Sequence, residues 1–235
     1  MTDTLVVRRF SAAEWPVYRD LRLRALGDSP DAFGSTLAEE TGRPDAHWAG
    51  RLAAGADSQT NLPVVAEVGG EPVGLAWGRV DPPNPDVAVL YQMWVAPSHR
   101  GVGAGKMLLQ AVIAWARARN ASFLDLGVTC GNSPARRLYE RAGFKPVGEP
   151  QPLRPGSELV AQSMRLALRG ATEQRHGADG AARRSSSRAL GRTHASRPPS
   201  IPRRSTMAKY LISFPSAAMV VPDDELGTSA ATRML

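Results

Sequence analysis

Between Val95 and Lys106 the sequence runs Val-Ala-Pro-Ser-His-Arg-Gly-Val-Gly-Ala-Gly-Lys, with three glycines in the five residues Gly101 to Gly105. A strand-like segment precedes it and a helix-like one follows. A loop of this kind can turn several backbone amides into one concavity at the positive end of the following helix. That arrangement suits a doubly charged pyrophosphate. Arg100 and Lys106 place cationic side chains at its rim. Spacing separates the phosphate loops this could be. A Walker A loop needs Gly, four residues, then Gly-Lys-Ser/Thr, but Arg100 stands where its first glycine belongs and Met107 follows the lysine. A dinucleotide fingerprint G-x-G-x-x-G requires glycine where Lys106 stands, and it opens a first βαβ unit instead of following a meander.

The pattern Arg/Gln-x-x-Gly-x-Gly/Ala is met by Arg100, Gly103 and Gly105. A second block follows after one helix and one strand: Asn132-Ser133-Pro134-Ala135-Arg136-Arg137-Leu138-Tyr139-Glu140-Arg141-Ala142-Gly143-Phe144. The first block resembles the coenzyme A-binding loop of the GNAT superfamily of N-acetyltransferases. The second resembles that family's Asn-x-x-Ala-x-x-x-Tyr-x-x-x-Gly-Phe segment. The resemblance spans about Leu5 to Leu168 and is loosest in the entrance helices, where the family binds its acceptors.

The resemblance implies a donor, acetyl-coenzyme A, and direct transfer to the primary amine of an acceptor, small molecule or protein. A non-catalytic acyl-coenzyme A sensor of the same fold is the alternative. By resemblance, the backbone of Met93 and Val95 holds pantetheine and the thioester carbonyl, and the loop residues Arg100, Gly101, Val102, Gly103, Ala104, Gly105 and Lys106 hold the pyrophosphate. Asn132 would reach the pantetheine arm, or cap the next helix, and the two roles are compatible. Tyr139 matches the family's general acid: a phenol with a pKa near ~10 stays protonated at neutral pH and can donate to the leaving thiolate. The bland alternative is an aromatic ring packed beside Leu138. The general base has no such match. Tyr91 and Gln92 occupy the strand where relatives place a carboxylate, which leaves Glu67 on an earlier strand as a guess, or a water chain. His99 reads as a phosphate or solvent contact. Cys130 has no histidine or acid beside it, and His47, His176 and His194 lack metal-ligand spacing, so no metal is implied.

The elements that must position these residues are legible from periodicity. Leu5 to Phe10 reads as a strand. Ser11 then caps a helix in which Trp15, Tyr18, Leu21, Leu23 and Ala25 form the apolar set and Arg19, Asp20, Arg22 and Arg24 the polar one. A loop from Gly27 to Ser35 and a helix from Asp45 to Ala54 follow. A meander takes in Pro63 to Val68, a Gly69-Gly70 turn, Pro72 to Val80 and Val87 to Val95. Gly105 to Arg119 is a helix stopped at Asn120, and it returns Phe123 to Val128 parallel to the preceding strand. Pro134 opens a helix that Gly143 closes, and two strands end the domain, Phe144 to Gly148 and Leu159 to Leu168. The expected fold is α/β: a mixed, mostly antiparallel GNAT-like sheet with helices on both faces, followed by a disordered C-terminal tail.

Composition agrees with a globular domain and removes one rival function. Hydrophobic residues make up 43% and charged residues 22% of 235 positions, so one buried core is expected. The net charge of +7 is not spread evenly. Residues 1–169 carry 19 Lys and Arg against 17 Asp and Glu, whereas 170–206 carry eight Arg against two acids. That second stretch has no interleaved aromatic residues and no recognised module, so no specific nucleic-acid partner is expected. It cannot bury enough surface to offset its ordering entropy and is expected to be disordered. The segment 207–235 opens with Met-Ala-Lys-Tyr-Leu-Ile-Ser-Phe and resembles the start of a YCII-related domain, too short to complete it. The domain boundaries are therefore 1–169, 170–206 and 207–235. One cysteine excludes an internal disulfide, and no apolar run approaches the roughly 20 residues that span a bilayer. A cytoplasmic protein, monomer or homodimer, without a membrane partner is the expectation.

Overall fold

The computed structural model describes residues 4–169 except Pro82 and Asn132. The expected linker 170–206 and partial fold 207–235 lie outside the described residues. Among the described residues, eight strands and five α-helices follow in the order β1 (Leu5–Arg9), α1 (Trp15–Asp28), α2 (Leu37–Thr41), α3 (Asp45–Ala56), β2 (Asn61–Val68), β3 (Glu71–Asp81), β4 (Asn84–Val95), α4 (Ala104–Ala118), β5 (Phe123–Thr129), α5 (Pro134–Arg141), β6 (Lys145–Pro146), β7 (Gln151–Pro152) and β8 (Val160–Ala167). They form one sheet of order β1-β2-β3-β4-β5-β8-β6, with β7 beside β8. Every pairing is antiparallel except β4 with β5, which α4 connects as a crossover. The expected mixed, mostly antiparallel sheet is present.

Alternation along the strands splits the core into two layers. Val64, Ala66, Ala76 and Val80 face α4 and pack with Leu108, Val112 and Trp115. Val65, Leu75 and Trp77 face the other way, onto Tyr18 and Leu21 of α1 and Trp48 and Leu52 of α3. Side chains of a strand point alternately to its two faces, so a run such as Val64-Val65-Ala66 serves both layers. Gly78 lets α4 approach β3 closely, because a Cβ there would lie 3.0 Å from the Trp115 ring and from Val112.

Three differences from expectation have local causes. Ser11 starts a single 3₁₀ turn, Ala12–Glu14, that runs into α1, and its amide is taken by the Glu14 carboxylate at 2.8 Å. The loop after α1 contains α2, held by a capping box: Glu39 N donates to Thr36 Oγ1 and Thr36 N to Glu39 Oε2. Third, the strand expected from Phe144 to Gly148 shrinks to two residues. Phe144 is drawn into the core instead, and Pro146 has no N–H with which to extend the ladder.

Candidate active site

The parallel ladder between β4 and β5 runs from Val87 opposite Phe123 to Leu90 opposite Leu126 and stops there. The reason lies two residues on. Between the pairs Trp77–Tyr91 and Leu75–Trp94 the strand β4 carries one residue more than β3, and Gln92 sits at φ 55°. Such a bulge bends its strand and increases the twist. It is pinned from inside: Tyr18 Oη of α1 donates to Gln92 Oε1 at 2.9 Å, both side chains buried. The far half of β4 therefore leaves β5. Ala96 N donates to Val73 O on the β3 side at 2.8 Å. Antiparallel alternation then turns the N–H and C=O of Val95, and of Met93 two residues earlier, toward the gap.

A cavity of about 730 Å³ fills this gap. One wall is Tyr91 to Val95 of β4, and the opposite wall is Leu126 to Thr129 of β5 with Leu138 and Tyr139 of α5. Arg100 and Gly105 border it at the start of α4. The segment from Asp28 to Gly34 closes another side and is tied at four of its residues. Trp94 Nε1 donates to Asp28 Oδ2 at 2.8 Å, and Arg100 makes an ion pair with the same oxygen. Thr129 Oγ1 donates to Asp31 O at 2.5 Å, and Arg154 Nη1 to both Pro30 O and Phe33 O at 3.1 Å. The loop is a fixed wall.

The loop glycines have the expected geometry. Gly101 and Gly103 stand at φ +84° and +99°, where other residues are strained, and Gly103 is the N-cap of α4. The first-turn amides of a helix have no acceptor within the helix, so those of α4 project toward the rim. Anions are favoured at this end by the helix dipole as well.

Tyr139 is buried on α5, with its ring 5.9 Å from that of Phe144 and its hydroxyl donating to Met93 Sδ at 3.7 Å. The ring packs in the core, and the residue also lines the cavity. Burial pushes the phenol up to about 12, so it is protonated throughout the neutral range.

The cavity brings together Met93, Val95, Arg100, Gly105 and Tyr139. Other candidates stand elsewhere. Gly101, Gly103 and the exposed Val102 and Lys106 lie at the rim, outside the cavity lining, and Ala104 buries its methyl in the core, so it has only its backbone to offer. Arg100 is less free than the sequence suggested: Nε donates to Val95 O at 2.9 Å and the guanidinium is paired with Asp28. Asn132 lies outside the described residues, and the cap of α5 is Ser133, which accepts from Arg136 N at 3.1 Å. Glu67 does not line the cavity. It faces β1, where Arg8 Nε donates to Oε2 at 3.1 Å and Nη2 to Oε1 at 2.5 Å. The guess that it serves as base is therefore corrected.

Two carboxylates border the cavity that the motifs did not indicate, Asp28 and Asp31. Asp28 is held below the usual carboxylate range by the Trp94 indole N–H, then by Ser29 and Arg100, which makes it an anchor and a poor proton acceptor. Burial pushes the Tyr91 phenol up, which removes it as a base near neutrality. Among the described residues, no group of three or more His, Cys, Asp or Glu could hold a metal ion, and no helix is long and apolar enough to cross a membrane.

An α/β domain whose parallel strands part over a glycine loop and a buried tyrosine matches one family. The model of the Acetyltransferase (GNAT) family fits residues 20–144, and the chain belongs to that family. Streptothricin acetyltransferase of Streptomyces lavendulae is 37% identical over 99 residues, covering 38% of this chain and 46% of that protein. Mycothiol acetyltransferase of Mycobacterium leprae (strain Br4923) is 33% identical over 128 residues, covering 51% of this chain and 39% of that one. The chain thus spans under half the length of either relative. Among solved structures, yncA from Salmonella typhimurium, determined with its cofactor acetyl-CoA, superimposes with a TM-score of 0.56 at 21% identity, covering 72% of this chain and 96% of that one. At that identity the likeness concerns the fold.

Proposed function

We propose that this chain is an N-acetyltransferase that moves the acetyl group of acetyl-coenzyme A directly to a primary amine. The observation that carries the reading is the gap between β4 and β5, where the turned-out backbone of Met93 and Val95 faces Tyr139 across a cavity that begins at a glycine-rich helix N-terminus. Pantetheine is a chain of amides and fits an unpaired strand edge as a further strand would. The pyrophosphate meets the amides of Gly101 to Gly105. The acetyl carbonyl lies against the β4 edge, where a backbone N–H stabilises the developing oxyanion.

The amine nitrogen bonds to the carbonyl carbon as the C–S bond breaks. The sulfur takes the proton of Tyr139 Oη, water restores that proton, and the nitrogen loses its own to water at the cavity mouth. A water route is favoured because Asp28, one of the two carboxylates bordering the cavity, is committed to Trp94 and Arg100. The polypeptide also contributes by holding donor and amine in register.

Calorimetric titration of the purified chain with acetyl-coenzyme A, followed by thiol release over an amine panel, tests the reading. Binding in the micromolar range with amine-dependent release is expected. Absence of donor binding would remove the assignment, and binding without release for any amine would turn it into a sensor.

A further inference from the structure

Arg22 is a cavity-lining side chain that the donor leaves without a role. It stands on α1 between Leu21 and Leu23, is 1% exposed, and lines the cavity beside Phe33, Tyr91 and Gln92. Its Nε and Nη1 are buried with no hydrogen-bond partner, and its Cζ lies 4.6 Å from the centre of the Phe33 ring. A guanidinium does not shed its proton in a protein. A buried charge without a hydrogen-bonded counter-ion is one of the costlier arrangements in a fold.

The buried carboxylate of this region is Glu40, and it is shared already: Arg43 Nε lies 3.5 Å from one of its oxygens and Arg51 Nη1 3.9 Å from the other. Asp28, six residues further along α1 and so about 9 Å away along the helix axis, belongs to Trp94 and Arg100. The donor's phosphates are assigned to the glycine loop at that Asp28 end. Asp31, the other carboxylate of the lining, is exposed to solvent. The cavity therefore presents Arg22 as its buried cation to whatever enters beside the donor, and the planar fork of an arginine matches a carboxylate.

We propose that the amine acceptor carries a carboxylate that Arg22 binds, so that the substrates are amino acids or compounds like them in holding an amine and a carboxylate together. The inference rests on the acetyltransferase reading. The guanidinium carbon lies over the Phe33 ring, and Nε and Nη1 remain unpartnered for the ligand. Bound there, the carboxylate fixes one end of the acceptor, and the amine is directed along the gap toward Met93 and Tyr139.

The test uses the full chain saturated with coenzyme A and a set of matched small probes: formate, acetate and benzoate against formamide, acetamide and benzamide, at equal ionic strength. At about tenfold excess over its Kd a bound carboxylate should raise Tm by about 3 °C, with no shift from the amides. Arg22→Gln should abolish the carboxylate shift and leave acetyl-coenzyme A affinity within about twofold, since a single removed charge-assisted contact acts at the acceptor end alone. In turnover with acetyl-coenzyme A, free L-amino acids should exceed their carboxamides at least tenfold in kcat/KM, and Arg22→Gln should erase that ratio through KM. Equal shifts from carboxylates and amides, no shift from either, or a Gln variant that keeps the discrimination each overturns the proposal. Should Arg22→Gln fail to fold, the wild-type comparison of acids with amides decides it alone. Loss of acetyl-coenzyme A binding would instead strike the acetyltransferase reading and is scored separately by calorimetry.

Discussion

The hydroxyl of Tyr139 donates to the sulfur of Met93 across the gap between α5 and β4, 3.7 Å apart. A thioether is a weak acceptor, so this phenol keeps most of its hydrogen-bonding capacity for a ligand. Tyr139→Phe retains the ring against Phe144 and removes the proton. The acetyl-transfer step should slow by roughly 10²- to 10⁴-fold while donor Kd changes little. Single-turnover transfer by the Phe variant measures it, and near wild-type rates would leave water as the proton source. The raised pKa adds a condition. In the proposed reaction the neutral phenol is the working form, and with its pKa pushed up to about 12 it persists until the pH comes within about one unit of that value. No fall in single-turnover rate between about pH 8 and pH 10 should trace to this residue.

Acid should weaken the domain at the start of the chain. Arg8 hydrogen-bonds Glu14 and holds its carboxyl at about 2, against an ordinary 4.5. A depressed folded-state pKa gives stability that is complete above about 4.5 and is lost as pH falls toward about 2. The full shift would correspond to roughly 3 kcal/mol, but Arg8 is 40% exposed and solvent screening reduces this to about 1 kcal/mol. Urea midpoints between pH 5 and pH 2.5 should fall less steeply in Glu14→Gln than in the wild type. Parallel slopes would show that the pair contributes nothing.

The fold was legible where local chemistry and tertiary need agree. The glycine loop, the crossover to β5 and the Gly143 stop, at φ +96°, all follow from residue type and spacing. What escaped was set by long-range packing. Nothing about glutamine favours φ 55°, so the bulge at Gln92 that opens the site could not be read from β4 alone; it depends on Tyr18, 74 residues away. Arg22 was assigned to the polar face by residue type, although its position four after Tyr18 and three before Ala25 puts it on the buried stripe. Periodicity held the better signal there. Thr36-x-x-Glu39 likewise spells a capping box that marks α2. The insertion of β8 between β5 and β6 left no local trace, because β6 and β7 are two residues each.

Asp125 and Arg165 face each other directly across β5 and β8, with Nε donating to Oδ1 at 2.7 Å and Nη2 to Oδ2 at 2.6 Å. Asp125 is wholly buried and Arg165 also covers the Phe123 ring at 4.7 Å. Removing the partly exposed Arg165 strands the wholly buried Asp125 carboxylate, so Arg165→Met should cost about 3 to 5 kcal/mol. Donor affinity of the fraction that remains folded should be unchanged, because the pair does not line the cavity. Chemical denaturation measures the first and calorimetry the second. A loss below about 1 kcal/mol would show that the sheet relaxes around the vacancy.

Gly103 tests whether the loop amides hold the donor. Its φ of +99° strains any side chain, yet a Cβ there meets nothing nearer than Leu5 Cδ2 at 4.0 Å. The cost of Gly103→Ala is therefore one of backbone conformation, about 1 to 2 kcal/mol. Gly70, in the turn between β2 and β3, stands at φ +89° with nothing within 4 Å, so Gly70→Ala carries the same kind of strain far from the site. Both alanine variants should lose a similar few degrees of Tm. They should differ in function: Gly103→Ala moves the amides at the start of α4 and should weaken acetyl-coenzyme A about tenfold, whereas Gly70→Ala should bind it normally. Gly103→Glu adds a negative charge at the proposed pyrophosphate site and should weaken binding at least a further tenfold, with the excess over alanine shrinking as salt is raised. Equal donor affinity in Gly103→Glu and Gly70→Ala would place the pyrophosphate elsewhere, and a glutamate effect indifferent to salt would assign the loss to loop geometry alone.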